Sequence, residues 1–478
     1  MSELPTGWAQ TALEQIITFS IGGLWGTATS NPSADSVVVA VMRGADYRDW
    51  ASKRAVGAAV RSVPTRTAET RLLEQGDIVV EVSGGGPTQP VGRVVLIDDA
   101  ALRSNKLPLI LSNFCRRIVL SHQVISTYVY YQLLYKYRRG ETERFQTATT
   151  NIRNLNFKKY LAETTLDLAP RPEQERIVAA IEEQFSRLDA GVAALKRARQ
   201  NLKRMRAAVL QAAVTGQLTL AVTGPAIDDW STCTPCSIAA NKRNALTIGP
   251  FGSSLKVSDY KPQGVPLVFV RQVRSHVFGG ADTRFISEEK AEQLRAHRVQ
   301  GGDVLITKMG EPPGDATVYP ADQPNAVITA DVIKLSVRQG IVPEYIALAI
   351  NSKKIRDQFA AITSGVAQQK VSLARFRQGI HIPLPPAEEQ AEIVEKVNRW
   401  IEEIDQADAN IETQLARAAS LRSSVLAAAF SGKLVSQDPG DETASIILER
   451  IAAERATSND RKPVRSRKPR GPREEVTA

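Results

Sequence analysis

The stretch "LDLAPRPEQERIVAAI" at 166–181 is written a second time as "IPLPPAEEQAEIVEKV" at 382–397. Gln174 falls on Gln390, and the same offset carries without a gap to Leu218 and Leu434. Each copy opens on proline and acid, Pro172 with Glu173 and Pro386 with Glu388 and Glu389. These suit the first turn of a helix and its dipole. Each closes on glycine, Gly216 in "AAVTGQL" and Gly432 in "AAAFSGKL", where a left-handed residue ends a helix. Between these marks Ile181, Leu188, Leu195, Leu202 and Val209 step by seven, with Phe185 and Val192 in the other seam position. In the second copy Val397, Ile404, Ile411, Ala418 and Val425 do the same, joined by Ile401 and Leu415. The heptad stripe predicts a coiled-coil seam in both copies. From Gln174 to Val214 each helix would run roughly 60 Å.

Neither stripe can be buried by its own helix, so the two copies are expected to pack on each other. A whole domain lies between them in sequence, which favours an antiparallel pair. Shared Ile177-Val178 with Ile393-Val394, Asp189 with Asp405 and Arg206 with Arg422 argue against two unrelated amphipathic helices.

The repeat reaches further back. "LPTGWAQTALEQI" around Trp8 and "AIDDWSTCTPCSI" around Trp230 open the two halves alike. Short β-rich runs follow at 76–82, 92–98, 264–273, 302–310 and 326–337, separated by Gly and Pro turns, with shorter helices expected at 124–137 and 343–361. The expected fold is α+β: two tandem globular domains at 1–169 and 225–384, separated by the long helices at 170–219 and 385–435, as a pseudo-two-fold internal repeat. A length of 478 residues is too great for one ordinary core and agrees. The interiors of the halves differ: "SIGGLWGTATSNPSADSVVVAVMRGADY" and "VSGGGPTQPVG" stand against "TIGPFGSSLKVSDY" and "MGEPPGDATVYP". The scaffold repeats while the presented surface changes.

The formal charge is +10. From Asn459 onward seven basic residues meet three acidic ones with almost no large apolar residue, so the stretch 436–478 is expected to be a basic, disordered tail able to meet phosphates. No apolar run is long enough to span a membrane, and the start has no basic segment followed by an apolar core, so a cytoplasmic location is expected. Three cysteines, Cys115, Cys233 and Cys236, are too few for a disulfide framework. The lone "CTPC" at 233–236 has neither a second CxxC nor a histidine pair, so a structural or incidental role is expected rather than a metal site.

Motifs for catalysis are missing. A methyltransferase acting on an exocyclic amino group needs an (N/D/S)PP(Y/F)-type loop, and "SNPS" at 30–33 has one proline and no aromatic. There is no GxxxxGK[ST] loop, because Gly432-Lys433 is followed by leucine, and no HExxH. His122, His276, His297 and His381 are scattered. Catalysis by this chain is not expected, and neither a metal nor a resident cofactor.

Several motifs in order, "GPFGSSLKVSDY", "GVPLVFVRQV", "GDVLITKMGEPPGDATVYP" and "SGVAQQKVSLARF" with the second long helix, closely resemble the specificity subunit of type I restriction-modification systems. The first half matches through "GDIVVEVSGGGPTQPVGRVVLI", "TTNIRNLNFKKY" and the first long helix. The resemblance covers about residues 4–435. It implies two target-recognition domains, each reading half of a split, asymmetric double-stranded DNA sequence, with the helices as spacer and docking surface. It also implies partners: two modification subunits carrying S-adenosylmethionine chemistry, and restriction subunits carrying ATP-driven translocation and cleavage. A rival reading is a non-enzymatic coiled-coil scaffold whose globular domains bind proteins. Salt-dependent, sequence-selective DNA binding separates the two.

Candidate DNA contacts follow from side-chain chemistry. Arg271, Gln272 and Arg274 are donor types suited to guanine or adenine in the major groove. Ser253, Ser254, Lys256, Lys308, Gln368, Gln369 and Lys370 suit base or phosphate. In the first domain the candidates are Arg43, Lys53, Arg54, Arg61, Ser83, Gln89, Thr149, Thr150, Asn151 and Arg153. Gly84, Gly85, Gly86 and Gly252 serve turns that let backbone come close.

Overall fold

In the computed structural model, which describes residues 4–29, 34–48, 50–86, 89–149, 152–219, 230–274, 277–280, 283–365 and 369–460, the two repeated stretches start two helices of 43 residues each, Arg171–Ala213 and Ala387–Ala429. Gly216 and Gly432 follow their ends at φ 73° and 70°. The chain divides into two units, residues 1–192 with 415–478 and residues 193–414. Each helix therefore begins in one unit and finishes in the other.

The Glu-Gln pair that opens each helix explains why this part of the sequence is repeated. In the first unit Trp8 Nε1 donates to Glu173 at 3.1 Å; in the second Trp230 Nε1 donates to Glu389 at 3.1 Å. Gln174 donates to the Ala169 carbonyl at 2.8 Å and accepts from Ile125 N–H at 3.0 Å. Gln390 donates to the Pro385 carbonyl at 2.8 Å and accepts from Val342 N–H at 2.8 Å. Ile125 and Val342 are the residues before the helices Ser126–Arg138 and Pro343–Asn351. One buried glutamine thus ties the start of a long helix to the start of a shorter one, in both units.

The helices run antiparallel within each unit. Arg422 pairs with Asp189 in the first and Arg206 with Asp405 in the second. These are the repeated Asp and Arg positions, used reciprocally. Arg199 adds a forked contact to Asp408 at 2.8 and 2.9 Å. The seam is buried toward the cores, at Ile181, Phe185, Val209, Val397, Ile404 and Ile411. It is only partly buried at Leu188, Val192, Leu195, Leu202, Ile401, Leu415 and Val425.

Each unit holds the same three sheets in the same strand order. A pair joins the entry strand to the strand before the long helix, Ala9–Ala12 with Thr165–Leu168 and Ser231–Cys233 with Ile382–Leu384. A four-stranded sheet orders Ile17–Gly22, Cys115–Leu120, Ile78–Glu81 and Val94–Leu96. In the second unit its counterpart orders Leu246–Ile248, Val332–Leu335, Val304–Thr307 and Ala316–Val318. The third sheet is built on a parallel pair, Ser36–Met42 with Leu109–Leu111 and Val265–Val268 with Ala326–Ile328. Antiparallel strands Ala59–Pro64 and Arg284–Ile286 complete its common part.

Three expectations change. The run 326–337 is two strands in two sheets, Ala326–Ile328 and Val332–Leu335, with a loop at 329–331. The helix expected at 343–361 breaks at Ser352, whose backbone is extended at ψ 153°. There Asn351 turns inward, bonding both Ala316 N–H at 3.1 Å and its carbonyl at 2.7 Å. The stretch read as a disordered tail is folded up to its last described residue. A helix, Ala444–Asp460, buries Ala444, Ile447 and Ile451 in the first core beside Trp8 and Tyr128. Arg176 pairs with Asp441 at 2.7 Å, and Arg455 donates to the Gln15 carbonyl at 2.9 Å. The basic run averages out the apolar spacing of Ile447, Leu448 and Ile451, which the compositional reading of 436–478 passed over. Residues 461–478 lie outside the described residues.

Candidate nucleic-acid interface

In each unit three candidate segments meet at one short loop, Ser112–Phe114 in the first and Thr329–Asp331 in the second. The first segment follows the opening strand of the four-stranded sheet. Gly23 N–H donates to the Cys115 carbonyl at 3.0 Å and Gly249 N–H to the Val332 carbonyl at 3.2 Å. A Cβ on Gly23 would lie 2.1 Å from the Ser112 carbonyl oxygen, and one on Gly249 2.1 Å from the Thr329 carbonyl. Only glycine allows this approach. The second segment leaves the parallel strand: Ser112 N–H donates to the Met42 carbonyl at 2.9 Å, and Thr329 N–H to the Val268 carbonyl at 2.9 Å. The third runs beside them, with Val82 N–H on the Phe114 carbonyl and Lys308 N–H on the Asp331 carbonyl, each at 2.8 Å. It carries the hairpin Gln146–Thr149 and Ile152–Leu155 against Ser83–Gly85. In the second unit the same place holds isolated bridges from Lys370 to Met309 and Ser364.

Several candidates are committed inside the protein. Gln272 is 4% exposed, and its Oε1 accepts Phe269 N–H at 2.9 Å. Asp46 occupies the matching place and accepts Arg43 N–H at 2.8 Å. Both residues lock the short 3-10 turn after the parallel strand. Arg54 forks onto Asp98 and donates to the Trp50 carbonyl at 2.7 Å. Arg61 lies over the Trp25 ring at 4.3 Å. Arg43 pairs with Asp46 at 3.1 Å and donates to the Gly57 carbonyl at 3.0 Å, with part of its side chain still exposed. Ser83 bonds Asn154 at 2.6 Å, and Lys308 Nζ reaches the Ala330 carbonyl at 3.5 Å.

The surface positions are Lys53, Ser253, Ser254, Lys256, Arg271, Arg274, Gln369 and Lys370, with Gln89 and Arg153 partly buried. Arg271 stacks over Phe269 at 4.4 Å, and Phe269 meets Tyr260 edge-on at 6.2 Å. Through Tyr260 the 251–260 loop and the turn at 270–272 are one surface. Thr149 is a strand residue; Thr150, Asn151 and Gln368 lie outside the described residues. Asn113 and Phe114, both exposed, were not among the sequence candidates. Their only signal is that they join two strands of different sheets.

A largely buried charge pair supports the turn in the first unit. Arg93 donates to Glu81 at 2.6 and 2.8 Å and to the Gly44 carbonyl at 2.8 Å, with Glu81 buried. Two buried groups pack there: burial pushes the Cys115 thiol up to about 11 and the Tyr47 hydroxyl well above its usual value. A paired charge in such surroundings fixes geometry, because separating it leaves an uncompensated ion. Among the described residues no group of three or more His, Cys, Asp and Glu could hold a metal ion. No described helix is long and apolar enough to cross a membrane. Cys236 is exposed and Cys233 partly buried, and both are free thiols.

The family model for the type I restriction modification DNA specificity domain matches residues 38–203 and 259–416. The type I restriction enzyme EcoKI specificity subunit of Escherichia coli strain K12 is 28% identical over 343 residues, 67% of this chain and 70% of that one. The Escherichia coli EcoBI specificity subunit is 29% identical over 345 residues, with the same shares. A chain from a solved structure of type I restriction-modification complex assembly superposes with a TM-score of 0.67 at 16% identity, covering 91% of this chain and all of that one. The HsdS subunit from Thermoanaerobacter tengcongensis gives 0.54 at 16% identity, with 90% and 98% covered. At these identities the structural likeness is one of fold.

Proposed function

The chain belongs to the type I restriction modification DNA specificity family, and from that premise we propose how it reads its target. It is the DNA sequence-recognition subunit of a type I restriction-modification complex, and each unit reads one half of a split, asymmetric duplex sequence. The observation that carries this is the meeting of three segments at one loop in both units, with matching backbone bonds and different side chains. Backbone that matches and side chains that differ are what two heads of one design need to read two sequences.

Arg271, Arg274, Lys256 and Lys370 in the second unit, and Lys53, Arg153 and the exposed part of Arg43 in the first, are the candidate donors to phosphates and base edges. The helix pair serves as spacer and as docking surface for two modification subunits, with restriction subunits joining them. Methyl transfer from S-adenosylmethionine and ATP-driven movement belong to those partners; this chain supplies position and no catalysis.

The test is methylation mapping of DNA from cells with and without the chain. A split motif with unlike halves is expected, and exchanging residues 225–384 for a relative's domain should alter one half alone. A palindrome, an uninterrupted motif, or loss of both halves on exchange overturns the reading.

A further inference from the structure

Each unit exposes one phenylalanine on the segments that meet at its short loop, Phe114 on the loop itself and Phe251 two residues beyond Gly249, so the two occupy different places in the common architecture. In the second unit Phe251 is 71% exposed, directly after the buried Gly249 and Pro250. Its counterpart in the first unit, two residues beyond Gly23, is Trp25, which is folded back under the Arg61 guanidinium. In the first unit Phe114 is 50% exposed, and its carbonyl is held by Val82 N–H. The residue that holds the matching bond in the second unit is Asp331. The first unit thus covers its aromatic at the glycine-following position and bares one on the loop, whereas the second bares its aromatic at the glycine-following position and carries an aspartate on the loop.

Both rings follow backbone that the loop holds closely. The chain two residues before Phe251 lies so close to the Thr329 carbonyl that any side chain at Gly249 would collide with it. Phe114 lies between Ser112, bonded to Met42, and Cys115, the first residue of its strand. A large apolar group exposed beside Ser253, Ser254 and Lys256 in one unit and beside Asn113 in the other suits an apolar feature inside a polar, anionic partner. The major groove offers one such feature, the thymine 5-methyl group.

We infer that Phe251 and Phe114 each pack on a thymine methyl in the half-site that their unit reads, and that part of each half's sequence preference rests on that contact. This rests on the DNA-recognition reading above. The contact is apolar and independent of the phosphate-directed cations, so it sets sequence without altering salt dependence.

The experiment measures binding of the assembled complex, this chain with its modification subunits, to its mapped target duplex with each thymine replaced singly by deoxyuridine. Loss of one buried methyl should weaken binding about fourfold at one position in each half. Phe251→Ala should weaken binding about tenfold, the scale of one mismatched pair, and abolish the deoxyuridine effect in one half only. Phe114→Ala should do the same in the other half. Sensitivity retained in the untouched half reports that the variant is folded and assembled. The inference is overturned if no deoxyuridine weakens wild-type binding, if the variants keep the effect in both halves, or if they fail to assemble, which would make the rings a docking contact for protein. Absence of any sequence-selective binding by the wild-type complex would instead sink the recognition reading itself, and this inference with it.

Discussion

The first unit closes on a helix, Ala444–Asp460, where among the described residues the second closes on Leu218, whose carbonyl accepts from Lys396 at 3.0 Å, and Thr219. Thr219 Oγ1 donates to Glu389 at 2.6 Å, just past the end of the first long helix. In the first unit the chain beyond the second long helix continues, pairs Asp441 with Arg176 and buries Ile447 and Ile451. The lock beneath is the same in both, an indole on a glutamate and a glutamine on two backbone groups. The difference teaches that the repeated residues are those the backbone needs in order to start its helices. Residues outside that lock are free to diverge, either as extra cover or as a reading surface.

The largest effect should come from removing the extra cover. Ending the chain before Ala444 uncovers two isoleucines' worth of apolar contact, about 3–6 kcal/mol, and should lower the melting transition of the first unit alone. Loss of recognition is expected in one half-site, read by methylation mapping; equal destabilisation of both units would contradict the comparison.

Next come the shared glutamines. Gln174→Ala and Gln390→Ala each orphan a part-buried N–H and a buried carbonyl, a cost of about 2–4 kcal/mol. Denaturant titration should find the two costs equal to within about 1 kcal/mol. Markedly unequal costs would show that the two locks are not energetically alike.

The reciprocal ion pairs should separate the units slightly. Both are surface contacts worth about 0.2–1 kcal/mol, but Arg422 also lies over the Phe185 ring at 5.0 Å, whereas the position matching Phe185 is Ile401. Arg422→Ala should therefore cost about 1 kcal/mol and Arg206→Ala about half that or less, measured by thermal denaturation. The reverse order would remove the ring from the account.

The smallest effect is a pH dependence. Burial raises the Glu173 carboxyl above its usual range, with the Trp8 bond and Arg176 opposing and Asp441 adding. A raised folded value means this group favours the native state when protonated. That contribution is complete below the unfolded carboxyl value and is lost as pH rises through the folded one. Glu173→Gln keeps an acceptor for Trp8 and should flatten this loss, giving a gain at pH 7 that disappears near pH 4. A gain that does not change with pH would point to packing instead.

Much of this was legible because it is periodic or local. The seam at Ile181, Val209, Val397 and Ile404, the glycine stops and the repeated Asp189 and Arg206 positions are set by helix geometry over a few turns. The recognition faces were legible only as segments. Gln272 and Asp46 share an i–3 turn lock that sequence could have suggested, whereas Arg54 finds Asp98 and Arg93 finds Gly44 across more than forty residues. Loop 329–331 vanished inside one apolar run because both flanking strands are buried and apolar, although they enter different sheets.

The sequence by itself determined the doubling, the antiparallel helix pair and the family, since each rests on spacing along one strand or helix, or on ordered motifs. Only the tertiary structure decided which side chains face outward. It turned Gln272 in, laid Arg61 on Trp25, left Phe114 and Phe251 bare and folded Ile447 and Ile451 onto the first core. Those outcomes depend on partners distant in the chain. A polar or aromatic side chain is exposed or spent according to what the folded backbone brings beside it, and no pattern within the segment carries that information.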